Sequence, residues 1–226
     1  MTFQVALVGT DGVLIASDRR SIYFSYESDD DPCASSQPSE VCKIVRSESD
    51  EVVCAFAGSP YSSSIAKAIV DSAEFLNART DSDREVVIKS ILGKQGKGPQ
   101  QRDEIIIVRK MDLGHVVVLS RKGYSDPTFT ECTTQICMGN NMIPARFIPR
   151  HFWRKRPIAE LEPLALLTLS CAVWEEKSMI GGGFDFLFIT ADGFKPCHYD
   201  EDDPRIEQAR KSFEKAAQPM ICTSNS

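Results

Sequence analysis

Two apolar runs, residues 3–9 and 12–17, are separated only by Thr10, Asp11 and Gly12. A connection this short closes an antiparallel hairpin, and Gly12 can supply the positive φ that such a turn uses. The chain therefore opens on a two-stranded antiparallel unit. Residues 41–46 and 52–57 predict a second hairpin turning at 47–50. Ser59 and Pro60 then read as the cap and first position of a helix. In that helix Ile65, Ala66, Ile69, Val70, Ala73 and Leu76 recur at helical spacing.

A shorter helix is predicted over 83–92, a strand pair over 104–108 and 115–119, and one further strand within 128–138. A long helix follows Pro163 to about Lys177. Residues 184–189 form a strand that turns at Ala191-Asp192-Gly193, and Asp203-Pro204 starts a last helix carrying Ile206, Ala209, Phe213 and Ala216 on one side. Residues 21–40, rich in Ser, Asp and Pro, read as an exposed loop or arm. This order predicts an α+β fold, with two packed antiparallel sheets between layers of helices. With 226 residues, no internal repeat and no linker, residues 1–226 read as one domain.

Composition excludes several functions. Residues are 42% hydrophobic and 26% charged, enough for a core and against wholesale disorder. The net charge of −6 argues against a dedicated nucleic-acid binder. The longest apolar candidate, residues 161–174, is shorter than a membrane span and contains Pro163, so no membrane partner is expected. The eight cysteines include no CxxC pair, and the N-terminus lacks a basic n-region; both predict a cytoplasmic protein with free thiols. Residues 93–98 have phosphate-loop composition without the phosphate-loop order, and read as a loop. Cys197, His198 and the acidic run 200–203 read as a loop ahead of a helix rather than a metal site. No metal or organic cofactor is implied.

The chemistry of the chain concentrates at its start. Thr2 follows the initiator Met1. Removal of the methionine leaves a residue with both a hydroxyl and a free α-amine, whose unperturbed pKa of ~7.7–8.0 suits a base at working pH. One residue then holds nucleophile and base, and no histidine is needed.

From Thr2 to Arg20, with Asp18 closing the second strand, the sequence resembles the N-terminal hairpin of proteasome β subunits and their bacterial relatives, in the N-terminal-nucleophile hydrolase superfamily. The segment 41–45 is similar to the stretch that carries that family's lysine, here Lys43, and 52–59 to its fourth strand and Ala-Gly turn, here ending at Gly58. The resemblance implies a four-layer αββα sandwich and a threonine-type amide hydrolase. In it Thr2 attacks, Lys43 favours the alkoxide, Asp18 holds Lys43, and the Gly58 N–H, at the start of a helix, receives the oxyanion. It further implies a peptide or protein substrate and self-association. An acyl-enzyme resolved by an amine instead of water gives transpeptidation, and a non-catalytic assembly subunit is the alternative of another class.

The sequence departs from the pattern in two places. Asn140 stands where the family has a serine, and around 177–181 no Asp and Ser fall in register, leaving an auxiliary acid to Glu175, Glu176 or Asp185. The stretch between Asp18 and Lys43 is also about nine residues longer than usual, the extra length falling within 26–40.

Overall fold

The computed structural model describes residues 2–25, 35–59, 61–94, 102–139, 144–209 and 211–212. It is a mixed α/β structure with three antiparallel sheets. The predicted opening hairpin is β1 (Phe3–Val8) and β2 (Gly12–Asp18), paired from Gln4↔Ser17 to Val8↔Val13. Every residue of both strands is buried, the mark of central strands covered on both faces. Gly12 does not adopt the expected positive φ; glycine is needed there for space, since a Cβ would come within 2.0 Å of the Ile189 carbonyl oxygen.

The chain then leaves this sheet. Arg20–Ser25 (β3) pairs with Ser35–Glu40 (β4) in a separate two-stranded ribbon. The arm expected over 21–40 is thus a strand pair at its two ends, and 26–34 lie outside the described residues. The abundance of Ser and Pro hid two short strands that pair only with each other.

The second hairpin is β5 (Ile44–Arg46) and β6 (Val52–Gly58). Its turn is organised by Ser47, whose Oγ accepts the N–H groups of Glu51 and Val52 at 3.0 and 3.1 Å. Strands β7 (Arg102–Arg109), β8 (Val116–Lys122) and β9 (Thr128–Cys132) extend that sheet in the order β5-β6-β7-β8-β9. The single strand expected within 128–138 is in fact two. After β9 the chain crosses at Thr133 and Thr134, and β10 (Gln135–Gly139) joins the first sheet beside β1. With β11 (Phe184–Thr190) and β12 (Gly193–Tyr199), that sheet runs β10-β1-β2-β11-β12.

The first helix is also divided. Helix α1 (Ser62–Val70) ends at Asp71, and Ser72 Oγ caps α2 (Ala73–Asn77) by accepting the Phe75 N–H at 3.1 Å. Pro60, the predicted first helical position, lies outside the described residues. Helix α3 is Asp81–Lys94, and α4 (Phe147–Phe152) precedes the long α5 (Ile158–Glu175). Helix α5 starts five residues before Pro163 instead of after it. Its first N–H, on Ile158, is capped at 2.8 Å by Asp11 Oδ1 from the β1–β2 turn, a tertiary cap that local sequence cannot reveal. Residues 204–209 are helical, while Phe213 and Ala216 fall outside the described residues.

Three apolar clusters follow from strand alternation. Phe3, Val5 and Leu7 face Leu161, Ala165 and Leu169 of α5. Ala6, Val8, Val13 and Ile15 face Val53, Ala55, Ile106 and Val108 of the other sheet. That sheet turns Val52, Cys54, Ile105 and Ile107 outward onto Ile65 and Ile69 of α1 and Ile88 and Leu92 of α3. Among the described residues no helix is long and apolar enough to cross a membrane.

Candidate active site

Thr2 sits at the edge where β1 begins, half-buried, with its carbonyl packed against Gly139 of β10. Gly139 has φ +99°, and a Cβ there would overlap the Thr2 carbonyl oxygen. The Gly139 N–H donates to Glu104 Oε2 at 3.0 Å, so a carboxylate from the second sheet fixes this turn.

Directly beneath lies a buried ion pair. The side chain of Asp18 is 0% exposed and that of Lys43 4%. Lys43 Nζ donates to both Asp18 carboxylate oxygens at 3.0 Å and to the Arg20 carbonyl at 2.6 Å. Asp18 Oδ1 also accepts the N–H of Phe3, the residue after Thr2, at 2.8 Å. Asp18 and Lys43 are therefore in contact, and the Phe3 N–H ties Asp18 to the residue next to Thr2.

Burial dominates the electrostatics here. Desolvation pushes the Asp18 carboxyl above its ordinary value, opposed by the Lys43 charge and the Phe3 and Gly181 N–H groups. Desolvation pulls the Lys43 ammonium below its ordinary value, opposed by Asp18 and then by Asp185. A pair this dry costs more in lost hydration than its attraction returns unless it is fully hydrogen-bonded, and this pair is.

Gly58 is placed differently from the expectation. It is the last residue of β6, with φ +114°, and α1 begins only at Ser62, so its N–H is not at a helix start. The Ser59 N–H bonds the Arg102 carbonyl at 2.7 Å, which makes Gly58↔Asp103 the intervening open pair of the ladder. The Gly58 N–H consequently points to the same edge as that of Phe56, which bonds the Lys43 carbonyl at 3.1 Å. A Cβ on Gly58 would overlap the Arg102 carbonyl.

Other residues shape the site that the sequence did not single out. Gln4 Nε2 donates to Ser17 Oγ (3.1 Å) and to the carbonyls of Lys43 (3.4 Å) and Phe56 (3.0 Å), stitching the two sheets below the pair. Asp103, buried behind Gly58, accepts from Ser59 Oγ (2.6 Å), Ser62 Oγ (2.7 Å) and Arg121. The one available signal was polarity inside apolar runs: Gln4 interrupts β1, and Asp103 heads β7.

Of the three acids considered as auxiliary, Asp185 lies at the site. It stands opposite Ser17 across the β2–β11 ladder. Its carboxylate contacts His198 Nδ1 at 2.9 Å and Arg19 Nε at 3.5 Å. Glu175 instead accepts the Ala145 N–H at 3.1 Å at the far end of α5. A groove of about 420 Å³ opens beside Asp185, lined by Cys42, Ile44, Arg46, Pro196 and His198 among others. Asn140 and Asn141 lie outside the described residues, as do 95–101 of the Gly/Lys/Gln loop. Among the described residues no three His, Cys, Asp or Glu side chains gather as a metal site.

No family model matches this chain, and no curated protein does. Solved structures do. Anbu (ancestral beta-subunit) from Yersinia bercovieri superposes with a TM-score of 0.69 at 16% identity, covering 97% of this chain and 96% of that one. An Anbu (Gly-1) mutant from Hyphomicrobium sp. strain MC1 gives 0.68 at 15% identity over 100% of both chains. The helical assembly of the Anbu complex from Pseudomonas aeruginosa gives 0.67 at 16% identity, over 99% and 97%. The chain therefore has an Anbu-like fold. The expectation of a proteasome β-subunit family is corrected: no family model places the chain there, and these fold neighbours are Anbu proteins at 14–16% identity.

Proposed function

We propose that the chain is a threonine-type amide hydrolase whose nucleophile is Thr2, exposed as an N-terminal residue by removal of Met1. The observation that carries this reading is the fully buried Asp18–Lys43 pair tied to the Phe3 N–H, immediately beside Thr2. A buried ion pair is weak as a stabilising device, so its presence under a candidate nucleophile calls for a chemical use.

In this mechanism the Thr2 Oγ attacks the substrate carbonyl as its proton passes to the α-amine. The Lys43 ammonium stabilises charge developing on Thr2 Oγ, and the Gly58 N–H receives the carbonyl oxygen as it becomes an oxyanion. The C–N bond then breaks, and the leaving amine takes the proton from the α-ammonium. Water adds to the resulting Thr2 ester, again losing its proton to the α-amine, and releases the acid with a free Thr2 hydroxyl. An amine in place of water gives a new amide, and the sequence carries both outcomes equally.

The three apolar clusters support a four-layer αββα arrangement in a single domain over 1–226. Unpaired thiols at Cys42, Cys54, Cys132, Cys137, Cys171 and Cys197 support a cytoplasmic setting. The helical assembly of the Pseudomonas aeruginosa Anbu complex supports self-association here. The substrate in this reading is a peptide or protein. No observation favours an assembly role without catalysis.

The deciding experiment is incubation of the processed protein with peptide epoxyketones, which need hydroxyl and amine on one residue. Mass spectrometry is expected to find the adduct on Thr2, and to find none in Lys43→Ala. Processed, folded protein that stays unmodified across several peptide scaffolds overturns the reading.

A further inference from the structure

The buried pair is gripped from outside by a backbone group: the Arg20 carbonyl accepts from Lys43 at 2.6 Å. This group does not belong to the five-stranded ladder that holds Asp18, because Arg20 is the first residue of the β3–β4 ribbon, after the chain has left the sheet. The Arg19 and Arg20 N–H groups donate to the Gly181 carbonyl at 3.0 and 2.7 Å, so the ribbon is held against the loop between α5 and β11. A side chain fastens the same two segments.

The residue that joins them is Glu201, from the loop after β12. Its Oε1 accepts from Arg20 Nη2 at 2.9 Å and from the Gly182 N–H. Arg20 Nη1 donates to the Lys177 carbonyl just after α5, and the Arg20 N–H donates to the Gly181 carbonyl at 2.7 Å. The two side chains lie against Gly181. A Cβ there would come within 2.6 Å of Glu201 Oε1 and 3.0 Å of Arg20 Cζ, and the backbone stands at φ +146°. Glycine at this position leaves room for the clamp. Glu201 itself is 54% exposed, so it reaches the buried pair only through these intermediaries.

We propose that Glu201 is a positioning residue: by gripping Gly182 and Arg20 together, it holds the Arg20 carbonyl on Lys43, and so fixes the charge pair beside Thr2. The proposal rests on the reading of Thr2 as nucleophile, which it deepens. A shift of the clamp displaces Lys43 relative to Thr2 without removing any group that touches substrate.

The test compares the full-length chain with Glu201→Ala and Glu201→Gln. The alanine removes the acceptor; the glutamine keeps an oxygen for both donors. Glu201→Ala is expected to lower kcat on the order of tenfold, the scale of small misplacements in such sites, with KM unchanged. Glu201→Gln is expected to restore most of it. The second readout needs no activity: hydrogen exchange of the Arg20 amide, which donates to the Gly181 carbonyl, followed by NMR, is expected to quicken in Glu201→Ala and to return near the parent rate in Glu201→Gln. Parent kcat together with parent Arg20 exchange in Glu201→Ala overturns the proposal. So does a loss of thermal stability that leaves both unchanged, since the residue is then merely structural. If the parent forms no Thr2 adduct, the function reading fails, while Arg20 exchange still decides whether Glu201 clamps the loop.

Discussion

Removing both members of the buried pair should harm the fold less than removing either one. In Lys43→Met the Asp18 carboxylate, fully enclosed, keeps the Phe3 N–H but loses the ammonium that met both its oxygens. In Asp18→Asn the Lys43 ammonium keeps the Arg20 carbonyl but loses the negative charge that balanced it. Stranding one buried charge costs about 3–5 kcal/mol. The double variant strands none: an asparagine still offers an oxygen to the Phe3 N–H, and a methionine fills the lysine stem. Replacing a buried pair in this way ranges from neutral to ~1–4 kcal/mol stabilising, so the double variant should match or exceed the parent. The assay is urea denaturation at pH 7 followed by circular dichroism, comparing all four proteins at equal m-values.

The pH dependence has a definite sign. Without the ammonium, burial holds the Asp18 carboxyl further above its unfolded value, so the folded state keeps a proton that the unfolded state releases. Lys43→Met is therefore least penalised in acid and loses stability as pH climbs above the unfolded carboxylate value of ~3.9. If the double variant is instead destabilised by the sum of the two singles, the pair is uncoupled. Its retention for chemistry and not for stability is then refuted.

Two other outcomes follow from the geometry. Gly58→Ala should unfold more easily and lose at least ~100-fold in amide cleavage, because the new Cβ meets the Arg102 carbonyl at a positive φ and turns the oxyanion donor away; steady-state rates near the parent's would remove Gly58 from the mechanism. Burial pushes the thiols of Cys137 and Cys171 up to about 12 and that of Cys54 higher still, so in the native state a thiol-disulfide reagent should spare all three until denaturant is added, whereas Cys42, exposed although burial also pushes its thiol up, should react before them, and Cys42→Ser should remove one equivalent titrated in the native state.

The sequence exposed those parts of the molecule that depend on neighbours along the chain. The opening hairpin, the β5–β6 turn and the β11–β12 turn are all local, and apolar alternation with turn residues marked each one. Thr2, Asp18 and Lys43 could be proposed through resemblance, because the opening hairpin and the entry to β5 keep a recognisable order. What stayed hidden was non-local. The start of α5 depends on Asp11, 147 residues away in the chain, and so ran opposite to the local warning of Pro163. The split of residues 128–138 into two strands depends on which sheet each half joins. Arg20 contributes a carbonyl, and a carbonyl leaves no trace in residue type. Asp185 could be named as a candidate acid, but only the β2–β11 register put it beside Ser17 and not elsewhere.

The two five-stranded sheets differ in how late they can close during synthesis. The β5-β6-β7-β8-β9 sheet joins only strands adjacent in sequence, so it can form as a succession of hairpins once residue 132 is available. The other sheet is assembled from the chain's two ends: β1 waits for β10, and β2 waits for β11, where Asp18 pairs with Phe184. Pairings of such long range are slow to form, because a large loop must be ordered before any contact rewards it. The Gly181 carbonyl that holds the Arg20 amide and the Glu201 carboxylate that clamps Arg20 also arrive late. Thr2 leaves the ribosome well before them, so the surroundings proposed to activate it are made long after it. A partly synthesised chain therefore carries its proposed nucleophile without the machinery proposed to use it.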